Sequence, residues 1–71
     1  MRELALREGD DFIRLGQALK KAGIAESGAH ATEMILAGEV KVNGAAETRR
    51  GKKLYPGDTF AVSGEQITIH R

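Results

Sequence analysis

The sequence predicts an α+β fold in which two short helices precede several short strands. Apolar residues recur with the helical spacing of about 3.6 before Gly38 and with the strand spacing of 2 after it. Two turn signals, Asn43-Gly44 and Pro56-Gly57, divide the second half of the chain. Nine glycines in 71 residues also keep the elements short.

The first predicted helix runs from Leu15 to Gly23. Its apolar residues fall at i, i+3, i+4 and i+7 and form one stripe. Gly23 tolerates the left-handed conformation that ends a helix. Lys20 and Lys21 in the last turn compensate the negative end of the helix dipole, and contact with a ligand is an equally good interpretation of both.

The second predicted helix begins after Ser27 and ends at Gly38. The Ser27 hydroxyl can accept a hydrogen bond from a free backbone N–H of the first turn. The buried side comprises Ala31, Met34 and Ile35. A tight turn separates the two helices, and Ile24 is expected to fill the angle between them.

Strands are predicted over residues 3–7, 40–42, 59–62 and 66–70, with a turn at residues 9–11 and another at 63–65. Between the two turn signals lies the segment 47–53, which we call the basic loop. It carries four cations in five positions, Arg49, Arg50, Lys52 and Lys53. We expect it to bulge from the sheet, with Gly51 keeping it pliable.

Charge and composition favour a function carried by the surface. The middle of the chain, residues 14–53, carries eight Lys or Arg against four Glu, whereas the total net charge is only +1. A chain of this length has a small core and little room for a deep substrate pocket of roughly 300 Å³ or more. The chain has no cysteine, which excludes disulfides and thiolate metal sites and favours a reducing cytoplasm. We expect no signal peptide and no membrane span.

The order and spacing of several residues resemble the S-four RNA-binding domain family, which is named after a small-subunit ribosomal protein. The resemblance covers residues 12–62 and rests on Arg14-Leu15, Gly23, Ser27, Ala31, Ile35, Gly38, Val40, Val42-Asn43-Gly44 and Gly57-Asp58. The basic loop is similar to that of short bacterial proteins consisting of little beyond this domain. We therefore expect a single RNA-binding domain over residues 1–71, with 1–11 and 63–71 as flanking strands or tails.

The resemblance implies a helix-turn-helix packed on a small, mostly antiparallel sheet, with RNA held across the helices and an adjacent strand. Two positions depart from the family pattern. Gly16 stands where an Asp commonly begins the first helix, and Gly28 stands where many members have Arg after the Ser. Because that Arg would contact phosphate, we expect the role to fall on Ser27, on backbone N–H groups and on the basic loop.

The basic loop has the chemistry to hold RNA phosphates. Cations that neutralise phosphates release condensed counterions. Arg49 and Arg50 can bind two oxygens of one phosphate, whereas lysines act as point charges. A loop that serves solubility alone is the alternative for such a charge run, and the resemblance favours RNA. The candidate RNA-binding residues are Arg14, Lys20, Lys21, Ser27, Gly28, His30, Lys41, Arg49, Arg50, Lys52 and Lys53.

Aromatic residues are too few for a surface that reads unpaired bases mainly by stacking. Phe12 and Phe60 are expected in the core, and Tyr55 beside Pro56. Recognition should depend on the RNA backbone, 2′-hydroxyls and shape. Structured RNA, such as ribosomal or transfer RNA, is therefore the expected partner.

The sequence does not favour an enzyme, and we expect neither a cofactor nor a metal. The two histidines, His30 and His70, form no ligand pair, and His70 is expected in a frayed tail. Ala46 and Lys53 stand where a P-loop needs Gly and Ser or Thr. We expect the protein to be a monomer. The remaining alternative for its function is an adapter whose basic surface binds an acidic patch on a ribosomal or RNA-processing protein.

Overall fold

Two helices and seven short strands make up the computed structural model, which describes residues 2–71. The helices are α1 (Leu15–Lys21) and α2 (Gly28–Leu36). The strands are β1 (Arg2–Ala5), β2 (Ile13–Arg14), β3 (Val40–Val42), β4 (Ala45–Ala46), β5 (Lys53–Leu54), β6 (Thr59–Val62) and β7 (Glu65–His70). The predicted α+β class is confirmed.

Five strands form one sheet in the order β1-β7-β6-β3-β4, and β2 pairs with β5 in a separate ribbon. Among the described strands, β1 and β7 are the one parallel pair, and every other pairing is antiparallel. The sheet is therefore mostly antiparallel, as expected. The residues at both ends of the chain, 2–5 and 65–70, are neighbouring strands.

The core lies between the helices and one face of the five-stranded sheet. Residues alternate along β3, so that Val40 and Val42 are buried while Lys41 is exposed. The predicted stripe of α1 is buried in full. The largest fully buried side chains are Phe60, Leu15, Leu19, Ile35, Leu54, Ile67, Ile69 and Val40.

The start of α1 depends on the basic loop. Arg14 precedes the helix and provides no side-chain cap. Instead, the backbone N–H of Leu15 donates to the carbonyl of Lys52 at 2.8 Å, and that of Gly16 donates to the carbonyl of Arg50 at 3.0 Å. Because N–H groups in the first turn have no acceptor within the helix, the loop completes α1. Residues 47–52 lie outside the five-stranded sheet as a loop, as expected, and this loop is docked on the start of α1.

The other helix ends follow the sequence signals. Gly23 and Gly38 both have φ of 78° just beyond the C-caps, as the left-handed helix end requires. Ser27 caps α2, because its hydroxyl accepts a hydrogen bond from the backbone N–H of His30 at 3.1 Å. Ile24 lies partly buried against the core between the two helices.

Two hairpin turns have positive φ at both central residues, the pattern of a type I′ turn. These residues are Asn43 (φ 51°) and Gly44 (φ 88°) between β3 and β4, and Ser63 (φ 52°) and Gly64 (φ 80°) between β6 and β7. The hairpin predicted from Asn43-Gly44 is confirmed. Gly57, with φ of 98°, suits the predicted Pro-Gly turn.

Three expectations are corrected by the structure. The two-residue strands β2, β4 and β5 were not predicted, because they are too short to show an alternating pattern. His70 ends β7 instead of fraying. Phe12 is only half-buried, because its ring packs against the exposed Tyr55 and under the Arg14 and Lys53 cations.

A matched pair of substitutions in α2 tests this packing. Ile35 is fully buried and its neighbour Leu36 is 68% exposed. We expect Ile35→Ala to lower the free energy of unfolding by about 2 to 5 kcal/mol through the lost apolar burial and the cavity. Leu36→Ala should change it by about 0.5 kcal/mol or less. Urea unfolding measures both, and equal effects would contradict the buried face assigned to α2.

Candidate nucleic-acid interface

The basic loop is fastened to the molecule on several sides. It turns tightly at Arg49–Lys52, where the Lys52 N–H donates to the carbonyl of Arg49 at 3.2 Å. The guanidinium of Arg14 donates to the carbonyl of Gly51 at 3.0 Å. Together with the bonds to the start of α1, these contacts hold the loop in one place beside the helices. The cations of the loop are therefore displayed on a fixed backbone.

Arg14 and Lys53 both lie over the ring of Phe12. The Arg14 guanidinium carbon is 5.5 Å and the Lys53 amine 4.9 Å from the ring centroid, within cation–π range. Tyr55 packs on the same ring, with the centroids 5.7 Å apart. Phe12 therefore supports the base of the loop.

Tyr55 leaves 46% of its surface exposed. It borders an open concavity with a volume of about 470 Å³, whose other lining residues are Arg49, Gly51, Lys52 and Lys53. The concave side of the basic loop is thus cationic, with one aromatic ring at its edge.

Arg49 is held by an acidic residue of the same loop. The Glu47 carboxylate accepts bonds from the Arg49 side chain and from its backbone N–H, both at 3.0 Å. The Glu47 side chain is largely covered, with 13% of its surface exposed, whereas 72% of the Arg49 side chain is exposed. The bond from the Arg49 side chain lowers the pKa of Glu47, and the pair raises the pKa of Arg49. The charge of Arg49 is partly compensated within the protein.

Arg50 lies across both helices. A Cβ built on Gly16 would be 3.1 Å from Cγ and 3.4 Å from Nε of Arg50, and one built on Gly28 would be 3.9 Å from Nη2. The Arg50 side chain therefore runs over the first turn of α1 toward the first turn of α2. Within residues 2–71 it forms no side-chain hydrogen bond and no ion pair.

Ser27 and His30 complete the start of α2 together. Besides the bond from the His30 N–H to the Ser27 hydroxyl, Nδ1 of His30 accepts from the Glu26 N–H at 3.1 Å. Both side chains thus act as caps. In the part of the chain that the structure describes, the N–H groups of Gly28 and Ala29 have no acceptor.

The three remaining candidate lysines are not equivalent. Lys20 is exposed one turn after Gly16, on the side of α1 that borders a second open concavity of about 420 Å³. The amine of Lys21 donates to the carbonyl of Ala5 at 2.7 Å and so ties α1 to the end of β1. Lys41 lies on the sheet face opposite the helices, paired with Ala46 and Ala61. Its side chain therefore points away from α1, on which the carbonyls of Arg50 and Lys52 are docked.

A family model for the S4 domain matches residues 6–70 of this chain. The chain belongs to the S4 domain family. This match agrees with the S-four resemblance found in the sequence and extends it over nearly the whole chain.

Similar proteins carry the same domain. YbcJ of Escherichia coli (strain K12) is 40% identical over 57 residues, which are 80% of this chain and 81% of YbcJ. RlbA of Bacillus subtilis (strain 168), whose name refers to ribosome maturation, is 43% identical over 54 residues, or 76% of each chain.

The solution structure of YbcJ superposes with a TM-score of 0.72 at 35% identity, covering 100% of this chain and 89% of that one. It is described as revealing an ALFAL motif involved in RNA-binding. Family and fold thus agree with the α+β architecture and with an RNA-binding class of domain.

Sequence inspection missed two features of this S4 domain that shape its basic loop. Glu47 looked like an ordinary charged residue, although its spacing of two from Arg49 lets one carboxylate reach both backbone and side chain. Gly16 was noticed only as a departure from the family.

No helix within residues 2–71 has the length and apolar character to cross a bilayer, and the same residues contain no metal-binding cluster.

The pair formed by Glu47 and Arg49 predicts a pH effect in this S4 domain. Because the ionised carboxylate is the bound form, Glu47 should stabilise the fold above its ordinary pKa of 4.5 and lose this contribution as the pH falls through the lowered value. Arg49→Ala should move the pKa of Glu47 back toward 4.5. Carboxyl-carbon NMR titration measures this, and an unchanged pKa would show that Arg49 does not bind Glu47 in solution.

Proposed function

We propose that this S4 domain binds structured RNA without catalysis, through its phosphates and its shape. The observation that carries the proposal is the fixed position of the basic loop beside the starts of α1 and α2. The proposed surface, which we call the basic face, consists of Arg14, Lys20, Arg49, Arg50, Lys52, Lys53 and the first turn of α2 with Ser27, Gly28 and His30.

The fixed backbone of the loop favours binding. A disordered basic segment must lose conformational freedom when it binds, and that loss weakens the affinity. Here the bonds from Leu15 and Gly16 to the loop already hold the backbone. The cations need only adjust their side chains, so that phosphate contacts can form at low entropic cost.

The composition of the basic face favours backbone recognition over base reading. Tyr55, which borders the basic face, is the one exposed Phe or Tyr ring within the described residues, so stacking is limited to a single base. The free N–H groups of Gly28 and Ala29 are suited to a phosphate oxygen. A folded RNA that presents phosphates in a fixed arrangement matches this surface better than an unpaired base string does.

Ribosomal or transfer RNA is the RNA class that we propose, in ribosome biogenesis or RNA maturation. The name of RlbA, which refers to ribosome maturation, supports this setting. The description of YbcJ as carrying a motif involved in RNA-binding supports RNA itself as the ligand. A ribosomal or RNA-processing protein could be held on the same face only if it presented acidic groups.

The salt dependence of RNA binding tests the proposal. If four to six phosphates are neutralised, log affinity should fall against log salt with a slope of about −3 to −5. Fluorescence anisotropy with a labelled RNA hairpin measures the slope. A slope near zero would reject phosphate binding, and displacement by polyglutamate as effective as by unlabelled hairpin would favour an acidic protein partner.

Two lysines provide a matched control for that measurement. Lys52→Ala removes a cation of the basic face and should reduce the slope by about 1. Lys41→Ala removes the same group from the opposite sheet face and should leave the slope unchanged. Equal effects of the two substitutions would place binding elsewhere than on the basic face.

A further inference from the structure

All nine glycines lie in the described range, and six of them have positive φ: Gly9, Gly23, Gly38, Gly44, Gly57 and Gly64. Their occurrence is explained by backbone conformation. The other three are Gly16, Gly28 and Gly51, and a Cβ on any of them would contact an arginine side chain. Gly16 and Gly28 both face Arg50, and Gly51 faces Arg14.

Gly16 is the glycine with the closest approach. A Cβ there would lie 3.1 Å from Cγ of Arg50, well inside the ordinary separation of about 3.5 to 4.0 Å between carbon atoms. Glycine is less favourable than alanine within a helix, and no positive φ requires it at this position. The space that it leaves is occupied by Arg50, whose own carbonyl accepts the Gly16 N–H at 3.0 Å.

The position of the Arg50 guanidinium is electrostatically unfavourable on its own. Nη2 lies near Gly28, at the positive end of the α2 dipole. Neither helix has an acidic residue in its first turn. Arg49 has Glu47 as a partner, but Arg50 has none within residues 2–71. An anion bound between the guanidinium and the start of α2 would be attracted to both and would offset the repulsion between them.

We propose that Arg50 is the principal phosphate contact of the basic face and that Gly16 and Gly28, the glycine seat, position it for that role. The ligand is an RNA phosphodiester, held by the guanidinium and by the N–H groups of Gly28 and Ala29. This inference rests on the proposed function. Because Arg50 covers Gly16, Gly16 affects binding through the position of Arg50 and not by touching RNA.

The experiment is a double-substitution cycle with the labelled RNA hairpin. Arg50→Ala should weaken binding about tenfold or more, as expected for loss of a charge-assisted hydrogen bond, and Arg49→Ala clearly less. Gly16→Ala should weaken binding by about threefold or more in the native background and have no effect in the Arg50→Ala background. Gln17→Ala, at the exposed neighbouring position of α1, is the control and should bind as the native protein does.

Thermal unfolding separates positioning from general damage. Because alanine is favoured in a helix, Gly16→Ala should fold, and the double variant should be at least as stable as Arg50→Ala alone. An equal loss of affinity from Gly16→Ala in both backgrounds, or equal effects of Arg49→Ala and Arg50→Ala, would overturn the glycine seat while leaving RNA binding intact.

Inorganic phosphate provides a test that does not depend on RNA. Its titration, followed by NMR, should shift the Gly28 amide in the native protein and not in Arg50→Ala or Gly16→Ala. If the native protein fails to bind the hairpin yet gives this pattern, the proposed function is wrong, but the positioning of Arg50 by the glycine seat for phosphate binding is supported. The same phosphate shift in all three proteins would overturn the seat.

Discussion

The arrangement of this domain depends on the backbone bonds between the basic loop and the start of α1. The carbonyls of Lys52 and Arg50 accept the N–H groups of Leu15 and Gly16, which no side chain caps. The same contact allows β5 to pair with β2 and brings the loop cations beside both helices. One set of hydrogen bonds therefore completes a helix and builds the candidate interface.

Several like charges lie close together in this interface, and three of them are bound by other groups of the protein. Glu47 compensates Arg49, a carbonyl binds Arg14, and the ring of Phe12 lies under Lys53. These contacts reduce repulsion and fix geometry within the protein. Arg50, Lys20 and Lys52 have no anionic partner in the described residues. An external anion would compensate these unpaired charges, and this is the physical basis of the proposed RNA binding.

Local patterns predicted the elements that local physics determines. The stripe of α1, the cap at Ser27 and the hairpin at Asn43-Gly44 all follow from spacing or turn chemistry, and the structure has each of them. The docking of the basic loop could not be predicted in this way, because Gly16 and Arg50 are 34 positions apart and no periodicity links them. Phe12 was assigned to the core on composition alone, which says nothing of cations above its ring.

Amide NMR mapping with an unlabelled RNA hairpin tests whether RNA binds the basic face. RNA should shift the amide signals of Gly16, Gly28 and residues 49–53 together, because they form one surface. The amide signals of Lys41, Ala61 and Gln66 should not shift, since these residues share the opposite face of the sheet. Shifts concentrated on that sheet face, with the basic loop unchanged, would show that RNA does not bind the basic face.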